Sequence, residues 1–326
     1  RRRDPPPGPP RPVVRPHRRN LSVPSYGPTG VLVRVRAVAV NPVDTFVRPG
    51  AYATPVPFPF VVGRDLVGEV AAAGPGAVGF APGDPVWCNS LGHAGRQGAS
   101  AQYATVAADR LHPVPPGVDE EELVAAAHPA ASAWPALFRH GGLTWGETVH
   151  IGGAAGNVGG AAVALAAAAG ARVLCTARAE DAPAVRALGA AEVLDYRAPD
   201  LAARLRRAAP DGVDLHLDTS GHGAPADAVD LPAHGGRMIV VVGLGGGPGE
   251  LSPGSLCTKD ARIVGFALSN APTGDLAAAA RAVGRLLRDS PWRPRIADRL
   301  PLSEAAEARR RLEVGEVRGR LVLTVP

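Results

Sequence analysis

The chain has one methionine, one lysine and three cysteines in 326 residues, and aromatic side chains make up only 4% of it. Each scarcity excludes something. Cys88, Cys175 and Cys257 are odd in number, widely spaced and form no Cys-x-x-Cys pair, which excludes a disulfide framework and a structural zinc site and fits the reduced cytoplasm. Cys175 falls inside an apolar run and reads as a small core residue. No apolar run reaches membrane-spanning length, since the longest candidate, 159–170, is alanine-rich and too short. No secretory leader is expected, because Arg1, Arg2, Arg3 and Asp4 lead into prolines rather than an apolar stretch with a cleavage site. Lys259 is the single lysine, and the exclusive use of arginine elsewhere, with abundant Ala, Gly and Pro, fits a GC-rich coding sequence better than a binding demand.

The formal charge of +5 is unevenly spread. Residues 1–20 carry seven Arg and one Asp, +6 in all, so the rest of the chain sums to −1. That pattern describes a solvated Arg/Pro-rich segment ahead of a nearly neutral body, and neither a nucleic-acid nor a membrane partner is expected. A chain of this length exceeds one hydrophobic core, and 46% apolar residues make it globular.

Three textures follow one another. From Val31 to about Glu122 short β segments alternate with Gly/Pro turns: Val31 to Val38 alternates as a half-buried strand should, and further strands are expected at 65–71, 84–88 and 101–106. From about Leu123 to Ala267 strands and helices alternate. Strands are expected at 171–177, 191–196, 213–218, 237–243 and 261–267, and helices at 181–189, 200–208 and 224–233, the pattern of βαβ units on a parallel doubly wound sheet. The last zone carries an amphipathic helix, 273–288, with Leu276, Ala280, Val283 and Leu287 on one face, then a helix at 303–312 and a closing strand at 319–325; all three are expected to return to the first domain.

The most informative segment is Val149-His150-Ile151-Gly152-Gly153-Ala154-Ala155-Gly156-Asn157-Val158-Gly159-Gly160, which runs an apolar strand into a glycine turn and an alanine-rich helix. Gly153 permits the tight turn, Gly156 lets backbone approach a pyrophosphate, and Gly159 lets the helix pack close. Free N–H groups and the helix dipole would then hold the anion. Dinucleotide binding is the function expected of this turn, with Ala154, Asn157 and Val158 completing it.

Beside that turn stand Ala39-Val40-Asn41-Pro42-Val43-Asp44-Thr45, Arg48-Pro49-Gly50-Ala51-Tyr52, Gly63-Arg64-Asp65-Leu66-Val67-Gly68-Glu69-Val70, Gly83-Asp84, Gly98-Ala99-Ser100-Ala101-Gln102-Tyr103, Ser132-Ala133-Trp134-Pro135-Ala136-Leu137, Gly235-Gly236-Arg237 and Gly319-Arg320-Leu321-Val322-Leu323. In this order, and from about Val31 to the end, they resemble the zinc-free quinone oxidoreductases, including the zeta-crystallins, of the medium-chain dehydrogenase/reductase superfamily. The resemblance implies an α/β protein in which a Rossmann-type dinucleotide domain, 124–267, is inserted into a GroES-like β-rich catalytic domain, 21–123 and 268–326, with residues 1–20 outside both. It also implies an active site in the cleft between them and a homodimer, formed through the strand near 262–267, whose edge would otherwise be exposed.

In the zinc alcohol dehydrogenases of that superfamily a cysteine stands at the position of Asn41 and a His-Glu pair at that of Arg64-Asp65, so the resemblance implies that the metal ligands are lost and no metal is bound. The nine histidines form no cluster of ligand spacing. Hydride transfer from a nicotinamide to a quinone or conjugated carbonyl (enone) compound needs no Lewis acid, and the protein then supplies position and electrostatics. By resemblance, Asn41 and Tyr52 lie near nicotinamide and substrate, and Ser132 near the carboxamide. Phe46 replaces a tyrosine of some relatives, leaving water or Tyr52 as the proton source.

Cofactor choice is read at the end of the second strand, where an acid selects the ribose 2′-OH of NAD and a cation the 2′-phosphate of NADP. Here the strand ends Cys175-Thr176-Ala177-Arg178, which argues for NADPH held by Thr176 and Arg178. Glu180 and Asp181 follow closely and argue the other way, and Ala184 falls about where some relatives have a phosphate-binding lysine. Tyr196 and Arg320 are further candidates at the adenosine end, with Gly243 in the loop after the strand at 237–243. An enoyl reductase acting on a 2-enoyl thioester, against which Phe46 argues, and a non-catalytic NADPH- or RNA-binding protein, supported only by the Arg-rich segment, are the competing readings.

Overall fold

The computed structural model describes residues 19–47, 50–221, 231–242 and 253–326. The strands are β1 Gly30–Val40, β2 Asp65–Ala73, β3 Pro85–Cys88, β4 Tyr103–Ala107, β5 His112–Pro113, β6 Thr148–Gly152, β7 Arg172–Ala177, β8 Glu192–Asp195, β9 Val213–Asp218, β10 Pro232–Val240, β11 Arg262–Gly265, β12 Ile296–Pro301 and β13 Arg320–Thr324. The α-helices are α1 Pro42–Val47, α2 Glu120–Trp134, α3 Asn157–Ala168, α4 Ala182–Ala187, α5 Leu201–Ala208, α6 Pro253–Cys257, α7 Thr273–Asp289 and α8 Ala305–Glu313.

The first sheet runs β12-β13-β1-β2-β3-β5, with β4 also paired to β1. Strand β1 is central and buried on both faces except at Arg34 and Arg36, where simple alternation had implied one open face. The reason is that β13, β2 and β4 all lie along it, so that Val31, Val33, Val35, Val38 and Val40 enter one apolar cluster while Ala37 and Ala39 enter another. The expected closing strand is therefore placed beside β1 by the antiparallel register Val40↔Leu321 to Ala37↔Thr324. Strand β12 was not anticipated; it lies parallel to β13.

The second sheet is wholly parallel, in the order β11-β10-β9-β6-β7-β8. The order reverses between β6 and β9, and in sheets of this kind a ligand crevice opens at the carboxyl ends of the strands at such a reversal. The expected helix 224–233 is not what forms at its end, since Pro232 and Ala233 begin β10; residues 224–230 lie outside the described residues. The expected helix 181–189 is a 3₁₀ turn, Ala179–Asp181, followed by the shorter α4, which carries a proline at its start.

Helix α2 begins at Asp119, whose carboxylate accepts the Glu122 N–H and so satisfies one open donor of the first turn. Its alanine-rich faces let it pack closely against β1, β2 and β13 of the first sheet and against α3 and α7. The apolar stripe of α7, Leu276, Ala279, Ala280, Val283, Leu286 and Leu287, lies in the same cluster as the buried residues of α2 and α3. That helix therefore sits at the seam of the two sheets.

Candidate active site

The glycine turn sits at the carboxyl end of β6, at the reversal point. Gly153 adopts φ +74°, which favours glycine, and Gly156 caps α3 with its extended backbone. Around it opens a cleft of about 330 Å³ lined by Gly153, Ala155, Gly156, Asn157, Ala177, Arg178, Asp181, Tyr196, Arg295, Arg318 and Gly319. Three guanidiniums against one carboxylate make this lining electropositive, as a phosphate-bearing ligand requires.

Five of the expected cofactor contacts line that cleft: Gly153, Gly156, Asn157, Arg178 and Tyr196. Arg178 Nε donates to the Tyr196 hydroxyl at 3.1 Å, which joins the tips of β7 and β8. Four others serve the turn from behind. The Ala154 N–H is spent on the Thr176 carbonyl at 3.0 Å, and Thr176 itself is buried in β7. Val158 packs against the apolar cluster, and Gly159 is buried under the turn. Gly243 lies outside the described residues.

Arg320 was expected at the adenosine end and is found elsewhere. Its neighbours Arg318 and Gly319 line the cleft, but strand alternation turns its own side chain inward, where Nη2 donates to Asn41 Oδ1 at 2.6 Å and lies 3.6 Å from Asp65 Oδ2. Asn41 is likewise corrected from substrate contact to internal connector. It is fully buried, its Nδ2 donates to Asp65 Oδ2 at 2.8 Å, and its backbone N–H donates to Asp44 Oδ2 at 3.0 Å, so the side chain is engaged inside the protein.

These residues belong to a buried charged cluster at the edge of the cleft. Asp44 and Asp65 face Arg64, Arg309 and Arg320, all nearly inaccessible. Arg64 Nη1 donates to Ser269 Oγ at 2.9 Å and Nε lies 3.9 Å from Asp44. Arg309 donates to Ser100 Oγ at 2.9 Å. Burial raises the Asp44 carboxyl above its ordinary value, with Arg309 pulling it back, and burial also works against the Arg64 and Arg320 cations, although arginine keeps its charge. Tyr52 lies on top, its ring centre 5.6 Å from the Arg64 guanidinium and 5.6 Å from the His93 ring. Ser132 lies one helical turn from His128, whose Nδ1 is 3.5 Å from Asp65 Oδ1; the Ser132 hydroxyl donates back to the His128 carbonyl at 2.8 Å.

Two family models match: the alcohol dehydrogenase GroES-like domain over residues 27–116 and the zinc-binding dehydrogenase over 157–284. The mouse quinone oxidoreductase (Mus musculus) is 32% identical over 85% of this chain and 83% of its own length. The human quinone oxidoreductase (Homo sapiens) is 30% identical over 94% of this chain and 92% of its own. The chain belongs to the quinone oxidoreductase family of the medium-chain dehydrogenase/reductase superfamily. Solved structures agree: an NAD-dependent alcohol dehydrogenase superposes with a TM-score of 0.83 at 32% identity, covering 94% of this chain and 95% of its own. The mycobacterial protein Rv1454c complexed with NADPH superposes at 0.79 with 26% identity, covering 94% of both chains. As a member of this family the chain is an oxidoreductase that uses a nicotinamide cofactor.

One family model is described as zinc-binding, and the residues at the two positions where the sequence lacks the expected zinc ligands are Asn41 and the Arg64–Asp65 pair. Arg64 offers no lone pair, Asn41 Oδ1 accepts from Arg320, and Asp65 Oδ2 accepts from Asn41 Nδ2, while Asp65 Oδ1 lies 3.5 Å from His128 Nδ1. Among the described residues no three His, Cys, Asp or Glu side chains are grouped closely enough to hold a metal ion.

Sequence reasoning missed Arg295 and Arg318, which reach the cleft from the far end of the chain. Their recruitment is local and explicable: Asn157 Oδ1 accepts the Arg295 N–H at 2.8 Å, and Gly319, at φ +135°, lets its strand press against the Arg295 carbonyl, where a Cβ would come within 2.6 Å. The adverse acids are neutralised in the same way. Asp181 pairs with Arg318 at 3.1 Å, and Glu180 lies between Arg178 at 3.5 Å and Arg197 at 3.3 Å.

Proposed function

We propose that this oxidoreductase uses NADPH to reduce a quinone or conjugated carbonyl acceptor without a metal ion. The observation that carries the reading is the rim of the cleft: Arg178, Arg295 and Arg318 stand around the tip of β7, and both acids that could select NAD are tied up in ion pairs. When bound, the nicotinamide supplies the hydride, and this chain's residues hold and screen it. Gly153 and Gly156 admit the pyrophosphate to the start of α3, whose open N–H groups face it. Arg178 and Tyr196, already hydrogen-bonded to each other, present a donor pair to the 2′-phosphate.

The domain division at 123/124 and 267/268 is part of the proposal and sets this cleft between the two sheets. A reduced cytoplasmic setting suits the three free thiols, of which Cys88 and Cys175 are buried. No helix among the described residues is long and apolar enough to cross a membrane. We also propose a homodimer through β11, an edge strand whose Ile263 and Val264 are half-buried. Sedimentation should give twice the 33.3 kDa chain mass, and Ile263→Glu should return the monomer.

The direct test follows nicotinamide absorbance against a benzoquinone, a phenanthrenequinone and a crotonyl thioester. Quinone turnover with NADPH in preference to NADH is expected. Turnover of the thioester alone would overturn the acceptor assignment. Arg178→Ala should raise KM for NADPH about tenfold, as expected for loss of a charge-assisted hydrogen bond, and leave KM for NADH within about twofold.

A further inference from the structure

Among the described residues that line the cleft, Asp181 is the one carboxylate, and an acid just past the tip of β7 is the group that takes the ribose 2′-OH in NAD-selective sites. It stands three residues after Arg178. Its N–H donates to the Arg178 carbonyl at 3.0 Å, so the 3₁₀ turn Ala179–Asp181 presents a cation and an acid to the same space. Two opposite specificities are thus built side by side. What decides between them comes from the far end of the chain.

Arg318 precedes β13 of the first sheet and Asp181 follows β7 of the second, yet Arg318 Nη2 donates to Asp181 Oδ2 at 3.1 Å within the cleft that both line. The arginine is placed there by backbone. The Asn157 side chain at the start of α3 accepts the Arg295 N–H at 2.8 Å, and the Arg295 carbonyl accepts the Arg320 N–H at 2.7 Å. Gly319, next to Arg318, has the φ of +135° that this close approach requires. The Asp181 side chain is 20% exposed and that of Arg318 is 52% exposed, so the guanidinium is the outer member of the pair. An ion pair this open to water adds little stability. Arg318 also meets the acid through one nitrogen of a five-donor fork, which suits it to hold a second anion at the same time.

Resting on the NADPH reading, we propose that Arg318 is a specificity-determining residue that works as a cover on Asp181. With the cover in place, the guanidinium cancels the carboxylate and offers its remaining donors to the 2′-phosphate, alongside Arg178. With the cover removed, Asp181 repels that phosphate and accepts the 2′-hydroxyl of an NADH ribose instead. A single substitution outside the dinucleotide-binding sheet should therefore turn the preference over. It should do so by moving the two cofactors in opposite directions, whereas loss of Arg178 moves NADPH alone.

Equilibrium titration with NADPH and with NADH, followed by nicotinamide fluorescence, tests this on the full chain without an acceptor. Arg318→Gln should weaken NADPH about thirtyfold, through a lost charge-assisted bond and an uncovered acid, and should tighten NADH about threefold. Asp181→Asn should leave NADPH within about threefold of the wild type, on the tighter side. The double variant Arg318→Gln/Asp181→Asn should lose the gain in NADH and recover about threefold in NADPH, and Arg318→Lys should keep the wild-type order. Neither side chain is buried, so all four proteins should melt with the wild type. If Arg318 merely ties the two sheets together, Arg318→Gln and Asp181→Asn will each weaken both cofactors alike. That result overturns the assignment, as does an NADPH-to-NADH ratio that Arg318→Gln leaves unmoved. A wild type without preference for NADPH defeats the cofactor reading, and the shift of the ratio on Arg318→Gln still judges Arg318; absence of quinone turnover defeats the acceptor reading and leaves both binding results standing.

Discussion

Gly159→Ala should cost this protein both its stability and its cofactor, whereas Gly156→Ala, three residues earlier in the same turn, should cost it the cofactor only. A Cβ at Gly159 would lie 2.3 Å from the Gly153 carbonyl oxygen, 2.8 Å from the Gly153 carbonyl carbon and 2.9 Å from Ala154 Cα. All three are backbone atoms. They belong to a turn that is itself pinned, because the Ala154 N–H is bonded to Thr176 and the Thr219 hydroxyl donates to the Gly152 carbonyl at 2.7 Å. Relief must therefore come from moving α3 away from β6, which opens the alanine-packed interface beneath it. A loss of roughly 2–4 kcal/mol is expected from such overpacking, with NADPH affinity falling at least about tenfold as the helix start leaves the pyrophosphate. At Gly156 the geometry differs. Its φ of −79° suits any residue, and an added Cβ meets only the Gly153 oxygen at 3.2 Å, so the fold should lose less than about 1 kcal/mol. But Gly156 lines the cleft, and its methyl would occupy the space through which the backbone approaches the phosphate. Thermal melts and NADPH fluorescence titrations of the two variants separate the effects; equal loss of stability in both would contradict the division of labour within the turn.

The turn was legible because its requirements are local: a strand, three glycines at fixed offsets and a helix former all lie within twenty or so consecutive residues. The parallel sheet was legible for a related reason, since each strand and helix declares its own period and short connections leave few ways to arrange them. What sequence could not supply is pairing between residues remote along the chain. Arg320 and Asn41 are 279 positions apart, and nothing in either segment says that one guanidinium will be buried against the other's amide. Resemblance drew Asn41 toward the substrate and Arg320 toward the adenosine, yet the two satisfy each other. Arg295 and Arg318 were missed because an arginine in an Arg-rich exposed segment carries no mark of its partner; Gly319 was the available signal, a glycine whose freedom is needed only if two segments touch. The acids after β7 misled in the opposite direction, because Asp181 is read as an obstacle to phosphate until Arg318 is seen to be paired with it.

A second large effect should appear in acid, and it arises in the middle of the cofactor sheet. The register of β6 and β9 sets His150 opposite His216, and both are buried. Their rings stack with centroids 5.0 Å apart, and the two Nδ1 atoms are 2.9 Å apart, so one neutral imidazole donates to the other. Burial, reinforced by its neighbour, lowers His150 to about 3; burial lowers His216 to about 4, with Asp218 pulling the other way. Above pH 6.5 both folded and unfolded chains carry these rings neutral, and the pair gives stability no pH dependence. Below 6.5 the unfolded chain takes up protons that the folded chain refuses, so stability falls, and it keeps falling until the folded sites titrate between about 4 and about 3. At pH 5 the loss should be about 2 kcal/mol per ring, about 4 kcal/mol for the pair. His112, lowered to about 4 by burial, adds in the same sense, and Asp44, raised by burial, opposes it, because a folded state that holds a carboxyl proton more readily gains as pH falls. Urea unfolding at pH 7.5 and 5 should therefore show a steep acid loss in the wild type and a much smaller one in the double variant His150→Leu/His216→Leu. His150→Leu alone should destabilise at both pH values by leaving His216 buried with an unmade hydrogen bond. If the double variant keeps the wild-type acid slope, the pair is not where the protons enter, and His112 and the carboxylates must carry it instead.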